Sequence, residues 1–254
     1  MKKSSKTISG LVSVVMPAYM CANFIKYSIQ SVINQTYKNI ELIIVIDGCA
    51  DKTKDIVNDY KLIDNRIKII EHKVNLGISA ARNTGICNSK GQYIAFCDSD
   101  DTWRKDKLEN QISLIKTSGQ FMSHSSADVI DSNGYKIGYR SMPVTIDKNN
   151  IRRRNYIVNS SAVIDRNAYK EIYFNDIKHE DYDLWLRLIK DHKSSIGLDV
   201  PLVRYRSHGN NFTSNKYKSI LWMIKVQLSN GIKIHEIFLN LFINAYSRIN
   251  FKQR

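Results

Sequence analysis

Asp98-Ser99-Asp100-Asp101 sets three carboxylates within four residues, directly after the apolar run Tyr93-Ile94-Ala95-Phe96-Cys97. A buried strand ending in acidic residues places them at the carboxyl edge of a sheet, where open α/β folds bind their ligands. Like charges held this close repel one another unless a cation sits among them. A divalent ion such as Mg²⁺ or Mn²⁺, held by one or two carboxylates and completed by phosphate oxygens, would stabilise the cluster. A solvated acidic turn would also do so, with Asp101 capping the next helix and Trp103 packing in its first turn. A second acidic group, His179-Glu180-Asp181 with Asp183 close behind, opens a helical pattern. A carboxylate there could be a general base, or could complement the positive end of the helix dipole.

The elements that must position these groups are legible as periodicity. Leu11 to Met16 reads as a buried strand stopped by Pro17, and Phe24 to Ile33 as one face of a helix. A strand over 41–46, a helix over 51–60, a strand over 66–70, a helix over 77–87 and a strand over 92–97 continue the alternation. Such alternation implies βαβ units and a parallel sheet covered on both faces. After a helix over 105–116 the pattern changes: a hairpin turning at Asn133-Gly134, a strand over 157–164, a helix over 181–190 and a strand over 195–206. Beyond residue 210 the chain is helical, and an apolar stripe from Ile234 to Ile249 suits either packing on the domain or docking on a membrane surface. The resulting division is a nucleotide-binding half over 1–115, a second half over 116–210 and a helical extension over 211–254.

Composition narrows the function classes. With 38 basic and 24 acidic residues the net charge is +14, a field that attracts anions over about a Debye length, ~8 Å at physiological salt. No helix-turn-helix, zinc-finger or aromatic RNA-binding pattern is present, so nucleic acid is not the expected partner. A phosphate-rich substrate near a membrane fits better. No apolar run reaches the ~18 to 20 residues needed to cross a bilayer, and the basic start lacks a signal-peptide core, so the expected location is the cytoplasm, with peripheral contact at the inner membrane left open. Cys21, Cys49, Cys87 and Cys97 are widely spaced and expected to be free thiols.

Several of these segments together resemble the inverting glycosyltransferases of family two. The resemblance is carried by Val12 to Tyr19, Ser31 to Tyr37, Glu41 to Gly48, Asn75-Leu76-Gly77, Ala80-Ala81-Arg82-Asn83, Asp98 to Asp101 with Trp103, and His179-Glu180-Asp181 with Trp185. It covers about residues 11 to 210. It implies a glycosyltransferase A fold: an α/β, Rossmann-like, mostly parallel sheet with a nucleotide-sugar half, an acceptor-binding half and C-terminal helices. It also implies a metal-dependent inverting enzyme using Mn²⁺ or Mg²⁺. The donor would be a UDP-hexose (glucose, galactose or N-acetylhexosamine) and the acceptor a lipid-linked or oligosaccharide glycan of O-antigen, capsule or lipopolysaccharide synthesis.

Carried onto this chain, the resemblance places Pro17, Tyr19, Asp47, Arg82, Asp98, Ser99 and Asp100 around the UDP-sugar. Tyr19 would stack on uracil and Asp47 accept its N3 proton, and Asp100 would be the main metal ligand. The family's usual Asp-Asp-Gly-Ser turn is Ile46-Asp47-Gly48-Cys49 here, with Asp47 matching the second carboxylate. Arg82 could assist the leaving diphosphate. Asp181 matches the base, with Glu180 and Asp183 as substitutes. His208 could reach the diphosphate or metal or be structural, and Arg204 and Arg206 are candidate diphosphate contacts. Trp103 and Trp185 could be sugar platforms or core. The competing class is a basic polyanion- or nucleic-acid-binding module on a degenerate nucleotide-binding fold, which would need no carboxylate cluster.

Overall fold

Continuous runs of apolar, largely β-branched residues form the middle of the sheet. β1 (Ile8–Ala18) becomes fully buried from Val12 onward, and after α1 (Ile25–Ile33) β2 (Ile40–Asp47) is buried at every position, as a parallel strand covered on both faces must be. Next come α2 (Thr53–Ile63), β3 (Ile67–His72), α3 (Ile78–Cys87) and β4 (Gly91–Phe96). These strands pair in parallel, with Val15 of β1 opposite both Ile43 of β2 and Phe96 of β4. The computed structural model describes residues 7–169, 171–189, 193–207 and 216–240.

The second half contains β5 (Thr102–Trp103), α4 (Lys107–Ser118), β6 (Met122–Ile130), β7 (Lys136–Arg140), β8 (Thr145–Ile146), α5 (Lys148–Arg153), β9 (Val163–Asp165), α6 (Glu180–Leu188), β10 (Ser195–Arg206) and α7 (Lys216–Ser229). Residues 234–240 are also helical. All ten strands lie in one sheet of order β3-β2-β1-β4-β9-β6-β10-β5, with β7 added to β6 and β8 to β10. The short β9 runs antiparallel to both β4 and β6 and so joins the two halves edge to edge. The fold class is the expected α/β one, but the halves share a single sheet, and the boundary placed at residues 115 and 116 falls inside α4.

Several local expectations are corrected. β1 does not stop at Pro17 but runs on to Ala18. The Val15 carbonyl bonds to Cys97 N on the β4 side, so Pro17, two residues on, turns the same way, past the end of β4, where its missing N–H breaks no ladder bond. The stretch over 157–164 is not one strand: a 3-10 turn at Asn159–Ser161 precedes β9. Instead of extending a ladder, Asn159 and Ser160 find side-chain partners across the fold, and Ser161 Oγ bonds back to the Val158 carbonyl. Trp103 lies on the two-residue β5 rather than on a helix, and α4 begins only at Lys107, so Asp101 is not its cap. The hairpin turns where expected, with Gly134 N donating to Asp131 O at 3.1 Å between β6 and β7.

Gly48 fixes how the loops at the carboxyl edge meet. Its φ is +66°, and a Cβ there would stand 2.4 Å from Asn75 N and 2.6 Å from the Val74 carbonyl carbon. Gly48→Ala therefore combines left-handed strain with a backbone clash. We expect it to cost at least about 1–3 kcal/mol, read as a lowered midpoint in urea unfolding.

Candidate active site

The turn after β4 is held from below by the second half of the chain. Asp98 N donates to Ser160 Oγ at 3.0 Å, and the same hydroxyl donates to Asp101 Oδ2 at 2.5 Å. Arg206 N donates to Asp101 Oδ1 at 2.8 Å, and Arg206 Nε to the Asp100 carbonyl at 2.9 Å. Asp101 is 1% exposed. Burial, reinforced by the charges of Asp100 and Asp98, pushes its carboxyl well above the usual range. Asp101 is thus the internal strut of the turn, leaving Asp98, Ser99 and Asp100 partly exposed on its rim. Arg206 is buried, and its Nη1 also donates to the carbonyls of Asp131 and Ser132 at 2.7 and 3.0 Å. It therefore positions the turn, which corrects its reading as a diphosphate contact.

Arg82 connects this turn to the second acidic group. Close packing of α3 on β1 brings it there: a Cβ on Gly85 would lie 2.4 Å from Val15 Cγ1. The Arg82 guanidinium is 2% exposed, with Nη2 on Asp98 Oδ1 at 2.7 Å and Nη1 on Glu180 Oε1 at 2.6 Å. Both forks are engaged inside the protein, so Arg82 acts by holding carboxylates rather than by reaching for a leaving phosphate. Asn159 Nδ2 adds a bond to Asp98 Oδ1 at 3.2 Å.

On the far side of Arg82, α6 starts from His179 in the left-handed region, φ +59°, an uncommon conformation for a non-glycine residue and a form of strain concentrated at functional sites. His179 is fixed there through Nε2 against Ser219, 3.1 Å to Oγ. Asp181 is partly exposed; its Oδ1 accepts from Tyr182 N at 2.7 Å and its Oδ2 from Asn155 Nδ2 at 3.0 Å. Burial, with the charge of Glu180 added, raises its carboxyl, against the opposing pull of Arg82 and the two hydrogen bonds. Asp183 is not an alternative base: it is 2% exposed and shared among Asn175, Arg187 and Asn230.

At the nucleotide end, Pro17 is buried in β1, and Tyr19 follows it, 53% exposed. Asp47 is 2% exposed, with Oδ1 bonded to His72 Nδ1 at 2.7 Å and to Leu76 N at 2.9 Å, and Oδ2 to Gly77 N at 2.9 Å. Its oxygens thus hold the loop before α3 and are not presented to the cleft, unlike the contact to uracil expected of it. His72, which also bonds Thr84 Oγ1 at 3.0 Å, carried no signal in sequence, and neither did Asn155 or Ser160. Trp185 is fully buried against Phe96 and Trp103 is 6% exposed, so both are core. Arg204 is exposed on β10, and His208 lies outside the described residues. Among the described residues no three His, Cys, Asp or Glu side chains converge on a common point. The four cysteines are free thiols, and none of the described helices is long and apolar enough to cross a membrane.

A carboxylate turn at the sheet edge facing a second carboxylate across a buried arginine is an arrangement suited to group transfer. Residues 13–173 match the family model for glycosyl transferase family 2. The chain is 36% identical to the UDP-Glc:α-D-GlcNAc-diphosphoundecaprenol β-1,3-glucosyltransferase WfaP of Escherichia coli, over 92% of each chain. It is 34% identical to WfgD of the same species, which carries the same activity name, over 83% of this chain and 82% of that one. S. aureus TarS, solved with UDP-GlcNAc, superposes with a TM-score of 0.69 at 19% identity, and the match covers 85% of this chain and 66% of that one. The fold is that of the glycosyltransferase A class. The chain belongs to glycosyltransferase family 2, and the nucleic-acid-binding alternative is without support.

Because Arg82 neutralises two carboxylates at once, its removal leaves both uncompensated. Arg82→Met is expected to lose about 3–5 kcal/mol, as when one partner of a buried pair is removed. Arg82→Lys should recover only part of this, since an ammonium cannot fork. Guanidinium chloride unfolding of the two variants checks the order.

Proposed function

We propose that the protein transfers a hexose, glucose in the first instance, from a UDP-sugar to a hydroxyl of a sugar carried on a lipid diphosphate, inverting the anomeric centre. The observation that carries this reading is the bridge Asp98–Arg82–Glu180, which sets the turn after β4 and the first turn of α6 against each other. The two named E. coli relatives, matched over most of their length, supply the substrate class. Surface-glycan synthesis at the cytoplasmic face of the inner membrane is the corresponding setting, and the +14 charge suits an anionic acceptor there.

In this reading the donor half binds UDP between the ends of β1 and β2, with Tyr19 offering its exposed ring to the base, Pro17 and Ser99 shaping the walls, and Asp47 holding the Leu76–Gly77 amides beside it. The turn fits a divalent ion in one mode: the oxygens of Asp101 are committed internally, Asp98 is tied to Arg82, and Asp100 stands partly exposed at the rim. That is the donor set of an ion held by one carboxylate and completed by diphosphate oxygens, rather than of an all-protein cage. Bound there, Mn²⁺ or Mg²⁺ would stabilise the charge developing on the leaving diphosphate. Asp181 takes the proton from the attacking acceptor hydroxyl. Its two hydrogen bonds fix its direction, and Arg82 keeps Glu180 from competing for that proton. With a base and no enzyme nucleophile, attack comes from the face opposite the diphosphate, so an α-linked donor gives a β-linked product.

Asp181→Asn keeps the shape but cannot accept a proton, so kcat should fall by about 10² to 10⁴ while UDP affinity holds; near-normal turnover would place the base elsewhere. The pH profile follows from the raised carboxyl. Asp181 must be ionised to act, so the rate falls as pH drops through its value, and that acid limb should lie higher than an ordinary aspartate would give.

For the turn, Asp100→Ala and treatment with EDTA should each nearly abolish transfer while the thermal unfolding midpoint stays close to wild type. Full activity in chelator would remove the metal from this reading.

A further inference from the structure

Among the described residues, two arginines near Asp181 form no ion pair. Arg140, at the end of β7, is partly buried and lies over the Tyr205 ring at 5.7 Å; Arg154, just past α5, lies over Tyr156 at 4.8 Å. Among the described residues neither guanidinium makes a hydrogen bond or an ion pair. They are close enough for Arg154 to oppose the charge of Arg140, while Tyr205, Asp181 and Asp101 favour it. Arg154 is also anchored next to the chemistry, since the following residue, Asn155, bonds Asp181 Oδ2 at 3.0 Å.

The nearby carboxylates are already engaged, Asp181 by Asn155 and Tyr182 N, and Asp101 by Ser160 and Arg206 N. Two cations held near one another, Arg140 partly buried and Arg154 exposed beside it, with the neighbouring carboxylates already engaged, form a receptor for an anion. Planar guanidinium forks match phosphate oxygens in pairs, and stacking on tyrosine rings fixes their orientation before the ligand arrives. A sugar whose hydroxyl meets Asp181 carries its anomeric substituent about one ring-width away. We infer that Arg140 and Arg154 clamp the diphosphate of the acceptor. This rests on the acceptor class proposed above; the diphosphate of the donor nucleotide is the other possible source of the same chemistry.

The test has a binding arm and a kinetic arm. In calorimetry, inorganic pyrophosphate is titrated into protein saturated with UDP. Wild type should bind it, and Arg140→Gln and Arg154→Gln should each weaken binding by about tenfold, Arg140→Lys by less, as expected for loss of a charged fork. Unchanged pyrophosphate binding in both Gln variants overturns the clamp. Arg154 is exposed, so its variant reports even if Arg140→Gln fails to fold. In kinetics, the Gln variants should raise KM for a GlcNAc-diphospholipid at least tenfold more than KM for an alkyl glycoside of the same sugar. Equal penalties on the two acceptors, or a parallel loss of UDP affinity that moves the pair to the donor diphosphate, overturns the acceptor assignment. If wild type binds pyrophosphate but transfers to no lipid diphosphate, the acceptor class fails and the anion site stands.

Discussion

One buried guanidinium organises the catalytic end of this protein. Arg82 comes from α3, yet its partners come from the loop after β4 and from the start of α6, 16 and 98 residues along the chain. Desolvating a charge this completely is costly, and the cost is offset only if both forks find good acceptors. The geometry of Asp98 and Glu180 is therefore imposed as much by the needs of Arg82 as by their own. Asp181, next to Glu180, inherits its place from that constraint, while the Asp98 turn inherits its height above the sheet.

The rest of the fold supplies the supports for this bridge. Parallel strands β1, β2 and β4 end at the same edge, so their loops share one rim. β9 extends the sheet past β4 and brings Ser160 under the turn, where one hydroxyl ties Asp98 N to Asp101. β10 ends with Arg206, whose backbone and side chain bind the same turn from the other flank. Each support is a polar group satisfied by another polar group, so few of these groups can be replaced singly without leaving a buried donor or acceptor unpaired. The acidic knot is thereby split: one carboxylate is buried as structure, and the other two stand partly exposed at the rim.

Much of this was legible in sequence because it is written in local patterns. Buried strands show as apolar runs, helices as spacings of three and four, and the acidic turns stand out by type. Family resemblance and matched relatives agree with what those patterns suggest. The missed features depend on tertiary approach. Ser160, Asn155 and His72 are ordinary polar residues in sequence, and only the fold brings them to Asp98, Asp181 and Asp47. β5 and β8 are two residues each, too short for any periodicity to show. The family resemblance points Asp47 at the ligand and the guanidinium type points Arg206 there, whereas burial assigns both to the scaffold.

The single continuous sheet has a consequence for how selectivity can arise. Because β9 pairs with both β4 and β6, backbone hydrogen bonds tie donor and acceptor sides into one sheet, which opposes their swinging apart like two jaws. On the proposed mechanism the gap between the Asp100 rim and Asp181 then acts as a caliper. On that mechanism, which hydroxyl of an incoming sugar becomes glycosylated is decided by how that sugar is propped against the caliper, with Arg140 of the hairpin and Arg154 just past α5 as the props. Changes of linkage between relatives of this fold should accordingly collect in those props, while the caliper itself keeps its width.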